Sequence, residues 1–313
     1  MPQAMGMVVE MLETKGPHFP NPLKSPKDEQ FEELIARKVD VKKELDYVYK
    51  AITETRTKLA GRVPLFGFSG APWTLLCYMV EGGGTKIFAN IKRWIYTYPV
   101  KTKELLEKIS EICVEYLALQ IEAGAQIVQV FDSWAGELSL STFKEFSLPY
   151  LRYISTHLPI RLREKKLEKV PMVVFAKGAW YALDDLCESG YQVVGLDWLR
   201  DPADAVRIAR GRVVLQGNAD PGILYGAKEA ITSTVQEMVS GFGGGKKGWI
   251  VNLGHGRIHQ LSFSIFTEPL LGITPQVNPD DLEFFFHEVR RFTGGPVRPL
   301  PDGYISDDKK PNS

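Results

Sequence analysis

Residues 104–133 read ELLEKISEICVEYLALQIEAGAQIVQVFDS. Leu105, Leu106, Ile109, Ile112, Tyr116 and Leu117 recur at helical spacing, and the pattern stops near Gly124. Gln126 to Phe131 then form a short, nearly continuous apolar run, closed by the polar pair Asp132 and Ser133. The stretch predicts a helix that hands over to a buried strand with a polar C-terminal end. The same handover precedes it. Val41, Leu45, Val48, Ile52 and Leu59 share one helical face between a candidate N-cap, Asp40, and a stop at Gly61, and the apolar run Val63 to Phe68 follows. Four more runs, Met172 to Ala176, Val193 to Trp198, Val213 to Gly217 and Trp249 to Leu253, lie far enough apart for a helix between each pair. Strands alternating with helices predict parallel βαβ units, and strands this apolar predict a sheet covered on both faces. A barrel and a doubly wound sheet both satisfy the pattern.

Polar residues stand where the runs end: Ser69, Asp132 and Ser133, Lys177, Asp197, Asn218 and His255. In a (β/α)8 barrel the loops after parallel strands converge on one mouth, so such residues are candidates for a site. Turns are polar in any case, and the pattern alone does not separate the two readings.

Composition narrows the class. The 313 residues carry 38 Lys plus Arg against 38 Asp plus Glu, which leaves no basic footprint for nucleic acid. With 44% hydrophobic residues the chain has the make-up of a globular domain. No apolar run approaches the roughly 18 residues needed to span a bilayer. The start MPQAMGMVVEM has no basic residue to open a leader peptide. Cys77, Cys113 and Cys187 form no C-x-x-C pair, so neither a disulfide framework nor a zinc knuckle is expected. A cytoplasmic address follows as the expectation. One domain is expected over residues 1–292, with a disordered Pro- and Gly-rich tail over 293–313.

Several chemical motifs fail on context. The cluster EGGGTK at 81–86 lacks phosphate-loop spacing, and GFGGGKKG at 241–248 precedes a strand instead of following one. His255 and His259 are four apart, but the flanking Gly254 and Gly256 oppose the helix that would aim both at a metal. No G-x-S-x-G elbow is present. The aromatic line Phe66, Phe68, Trp73, Tyr78, Phe131 and Trp134 suits a core, although several members sit at strand ends where a flat ligand could lie.

One resemblance is specific. GFSGAPWTLLCYMVEGGG at 67–84 resembles the signature region of the uroporphyrinogen decarboxylase family. PQAMG at 2–6, GPHFP at 16–20, QVFDSWAG at 129–136, FAKG at 175–178, GLDW at 195–198, LQGN at 215–218 and NLGHG at 252–256 are further matches in family order. The resemblance implies a (β/α)8 TIM barrel, a homodimer with facing clefts, and decarboxylation of the acetate side chains of uroporphyrinogen to methyls, giving coproporphyrinogen. It implies no cofactor and no metal, because a pyrrole protonated on ring carbon is its own electron sink. It places substrate-contact groups on Tyr78, Ser133 and His255 and apolar walls on Phe68 and Phe131. Lys177 and Asp197 are strand-end residues that a structural ion pair would explain equally well.

Two departures from the family pattern stand out. In the family the stretch before the position of Pro2 supplies two barrel strands, an arginine-rich loop and the aspartate that holds the pyrrole nitrogens. None of these occurs in the 313 residues, so the catalytic residue stays unassigned, and an incomplete barrel with little decarboxylase activity is the expectation. Arg257 to Gly272, RIHQLSFSIFTEPLLG, reads as an insert after the family histidine. A non-catalytic tetrapyrrole-binding or dimer-partner protein is the alternative from another class. A corrinoid-linked methyltransferase would need cysteine thiolates for zinc at strand ends, where the chain has none.

Overall fold

Six strands pair side by side, all parallel and in chain order, in the computed structural model, which describes residues 1–12, 16–85, 87–245, 248–255 and 279–294. They are β3 (Phe66–Gly70), β4 (Ile127–Asp132), β5 (Met172–Ala176), β6 (Val193–Gly195), β7 (Val214–Ala219) and β8 (Trp249–Leu253). A doubly wound sheet reverses its strand order at a switch point. Here the order never reverses, so the winding is that of a β/α barrel. β3 and β8 each pair with one neighbour among the described residues. A small antiparallel hairpin, β1 (Glu10–Leu12) with β2 (Gly16–His18), precedes them. Its three-residue strands carry no alternation, which is why the sequence does not announce it.

The principal helices are α1 (Pro72–Glu81), α2 (Pro99–Glu122), α3 (Leu148–Glu164), α4 (Pro202–Ala209), α5 (Lys228–Gly241) and α6 (Pro279–Thr293). The predicted stop near Gly124 is real: Gly124 has φ +118°, which a side chain would oppose. Asp40 does cap a helix, its Oδ1 accepting from Lys43 N–H at 3.0 Å. The single helix expected from 41 to 60 is instead two, Val41–Glu44 and Asp46–Leu59, broken at Leu45. Two strand limits also shift. Val63 and Pro64 stay out of the sheet, because pairing starts with Phe66 opposite Ile127, and β6 ends at Gly195, three residues before Trp198.

Parallel register puts Val128, Val130 and Asp132 on the same face as Met172, Val174 and Ala176, and all six are buried. The core lies there: Leu105, Leu106 and Leu117 of α2 are fully buried with them, each contributing about 1.5–3 kcal/mol of transfer free energy. The opposite face holds Phe66, Phe68, Ile127, Phe131, Phe175 and Ile250 in register, half-buried to exposed, with Phe68 at 36% and Ile250 at 37%. The expectation of full cover on both faces is therefore corrected: the described residues cover one face and leave the other partly open. The expected insert at 257–272, His259 and residues 295–313 of the expected tail lie outside the described residues. Thr293 closes α6.

Candidate functional site

The polar residues at the strand ends divide into two groups. Ser69 is buried inside β3 and donates to the carbonyl of Gly70 at 2.9 Å. Asp197 accepts from the N–H of Gly178 and, at 3.0 Å, from that of Leu199. Asn218 donates through Nδ2 to the carbonyls of Asp197 and Arg200 at 2.9 and 2.6 Å, which pins the loop after β6. These groups hold backbone. The ion pair suggested for Lys177 and Asp197 does not form, since the Asp197 carboxylate is occupied by two amides. Ser133 and Lys177 remain half-buried, with no hydrogen bond or ion pair to their side chains among the described residues.

Asp132 explains how Ser133 is positioned. Its carboxylate is fully buried at the end of β4 and accepts from Thr74 Oγ1 at 2.5 Å and from Ser147 Oγ at 2.6 Å. Thr74 Oγ1 in turn accepts from Trp134 N–H at 3.2 Å, which fixes the backbone directly after Ser133. Burial drives the Asp132 pKa up to about 6, opposed by the hydrogen bonds from Ser147 and Thr74. The carboxyl is sealed from the mouth and acts as a structural anchor.

Glycine lets the loops approach. Gly136 N–H donates to the Lys177 carbonyl at 2.9 Å, and a Cβ on Gly136 would lie 2.8 Å from the Gly178 Cα. A Cβ on Gly254 would likewise lie 2.6 Å from the backbone nitrogen of Trp198. The loops after β4 and β5, and those after β6 and β8, are thus held backbone to backbone. The sequence carries these glycines in QVFDSWAG, FAKG and NLGHG, but gives no sign of which pairs meet.

The predicted contact residues fall around this mouth. Tyr78, on α1, is 9% exposed, stacked with Phe19 and edge-on to Trp134 at 5.9 Å. Trp134 links it to the loop that carries Ser133. His255 follows β8, its ring 6.3 Å from that of Phe175 and 6.4 Å from that of Trp198. Phe131 pairs in register with Phe175, and Phe68 lies one strand away on the same face. His255 thus borders the aromatic face directly, while Tyr78 is joined through Trp134 to the loop that carries Ser133. The imidazole and phenol offer donors suited to carboxylates. A separate hollow of about 510 Å³, bordered by Lys38, Lys42, Glu115 and Arg161, lies among the helices, and its Arg161 and Glu115 are already paired.

Among the described residues no group of three His, Cys, Asp or Glu side chains gathers as a metal site, and no helix is long and apolar enough to cross a membrane. The three cysteines are buried and unpaired on helices, away from the strand ends.

An unreversed parallel winding with its polar groups at the strand C-termini defines an enzyme-type β/α-barrel protein. The family model described as Uroporphyrinogen decarboxylase (URO-D) matches residues 1–292. A uroporphyrinogen decarboxylase of Schizosaccharomyces pombe (strain 972 / ATCC 24843) is 51% identical over 294 residues, 93% of this chain and 76% of its own. One of Danio rerio is 54% identical over 256 residues, 82% of this chain and 68% of its own. The chain belongs to the uroporphyrinogen decarboxylase family. Among solved structures, a methyltransferase from Methanosarcina mazei superposes with TM-score 0.67 over 93% of this chain and 77% of its own at 18% identity. That likeness concerns the fold alone.

Proposed function

We propose that the chain is a uroporphyrinogen decarboxylase, a carboxy-lyase that converts the acetate side chains of uroporphyrinogen to methyls and yields coproporphyrinogen. The observation that carries this reading is the partly open aromatic face of the sheet, with the His255 ring beside Phe175 at its edge. A folded macrocycle lies against Phe68 and Phe131, and its carboxylates meet the phenol, hydroxyl and imidazole. The pyrrole takes a proton on ring carbon and becomes the acceptor of the electron pair released when the carboxylate leaves as carbon dioxide. A proton then returns to the exocyclic carbon, and the ring proton is lost. The protein's part is to orient the acetate and exclude competing positions. No residue is assigned to proton transfer: Asp132, Asp197 and Asp220, the carboxylates at the strand ends, are all engaged elsewhere.

The same reading makes residues 1–292 one barrel domain and the enzyme a cytoplasmic homodimer. Three buried, unpaired cysteines support a reducing compartment, and sedimentation tests the dimer. The decisive assay incubates the protein anaerobically with uroporphyrinogen, oxidises the mixture, and separates porphyrins by carboxylate number. Products with fewer carboxylates are expected, in contrast to the low activity that the missing family aspartate led the sequence to suggest, and Ser133→Ala or His255→Ala should raise KM about tenfold each, the worth of a hydrogen bond to a charged group. Porphyrin binding without loss of carboxylates would replace the enzyme by a tetrapyrrole-binding protein. Neither binding nor turnover would refute both.

A further inference from the structure

We infer that Lys177 is a carboxylate-binding residue of the mouth and works as a pair with Ser133, an assignment that rests on the tetrapyrrole reading above. β4 and β5 run in parallel register with Asp132 opposite Ala176, so the next positions, Ser133 and Lys177, stand side by side one residue beyond the sheet. The pairing continues into that step, because Lys177 N–H donates to the Asp132 carbonyl at 3.1 Å. The Lys177 backbone is clamped on both sides: its carbonyl accepts from Gly136, and the following amide, of Gly178, donates to Asp197. Its side chain starts from a rigid base.

The ammonium differs from the cations held in ion-pair clusters. Arg161 is held by Glu115 and Glu164, Lys165 by Glu115 and Glu122, and Arg212 by Asp184 and Glu188. Lys177 is half-buried and meets no carboxylate among the described residues, and the nearest strand-end acid in sequence, Asp197, is turned to amides. A partly desolvated ammonium with no counter-charge among the described residues, beside a hydroxyl with no partner among them, fits an anion with two oxygens: one oxygen takes the ammonium, the other the Ser133 O–H. The chain's net charge is zero, so a polyanion gains little from the overall field and depends on such local cations.

The test titrates the wild-type protein, Lys177→Gln, Lys177→Arg, Ser133→Ala and the Lys177→Gln/Ser133→Ala double variant with uroporphyrin, followed by porphyrin fluorescence, alongside thermal melts. Lys177→Gln is expected to weaken binding about tenfold to a hundredfold. Lys177→Arg should stay within a few-fold of wild type. The double variant should lose less than the product of the single losses, because both groups hold one carboxylate. All melting midpoints should stay close to wild type, since neither side chain is hydrogen-bonded or ion-paired among the described residues. A wild-type affinity in Lys177→Gln, or a loss that tracks a fall in its melting midpoint, overturns the assignment alone. A wild-type protein that binds no uroporphyrin removes the tetrapyrrole reading and this assignment with it.

Discussion

Gly136→Ala probes the contact that joins the loops after β4 and β5. The new Cβ would sit 2.8 Å from the Gly178 Cα and 3.0 Å from its carbonyl carbon, both backbone atoms that cannot rotate away. Carbon atoms rest at about 3.5–4.0 Å, so the loops must part by roughly 0.7 Å or more. Overpacking of this kind costs about 1–3 kcal/mol. The Gly136 N–H bond to Lys177, 2.9 Å long, lengthens at the same time, at a cost of about 0.5–1.5 kcal/mol. Together these give roughly 2–4 kcal/mol, a fall in melting midpoint of about 3–6 °C for a chain of this size. The same displacement carries Ser133 away from Lys177, so uroporphyrin affinity should fall with stability. Gly84→Ala is the matched control, because nothing among the described residues lies within 4 Å of its added methyl, and it should melt near wild type or slightly above. Both substitutions are read by thermal melts, urea midpoints and porphyrin titration. A Gly136→Ala protein that melts within about 1 °C of wild type and binds porphyrin as tightly would refute the close-approach account of the mouth.

Asp132→Asn tests the buried anchor through pH. Burial raises the folded pKa from 3.8 to about 6, so between these values the folded state keeps a proton that the unfolded state has released. Wild-type stability therefore falls as pH rises through that window, by roughly 3 kcal/mol in all. Asn cannot ionise, so relative to wild type the variant should gain between pH 4 and 7.5 in urea unfolding; parallel curves would show that the carboxyl is not buried as described. Glu115→Gln tests the cluster joining α2 and α3. Burial would raise the Glu115 pKa, but hydrogen bonds from Arg161 and Lys165 outweigh it and hold it below the usual range. The wild type should be more stable by about 1 kcal/mol at neutral pH, and the gap should close as acid protonates Glu115; a gap that persists at low pH would contradict the charge-based account.

The sequence by itself determined the alternation of helices with parallel strands and the cast of candidates. Helical spacing over Leu105 to Leu117 and apolar runs such as Met172 to Ala176 are local properties, because a helix or a buried strand imposes its period on its own residues. The strings around Tyr78, Ser133 and His255 were legible as a family pattern for the same reason: they are contiguous. Tertiary structure alone decided what each polar strand end does. Asp132, Ser133, Lys177, Asp197 and Asn218 look alike in the sequence, one polar residue after another apolar run. Asp132 turned out to be sealed by Thr74 and Ser147, Asp197 and Asn218 to hold loops, and Ser133 and Lys177 to stand at the mouth. Tertiary structure also settled barrel winding over a doubly wound sheet, through the order β3 to β8. The physical reason is common to both decisions. A strand sends alternate residues to opposite faces, so one step in register separates an anchor under the helices from a side chain on the opposite face, and register is set by partners tens of residues away.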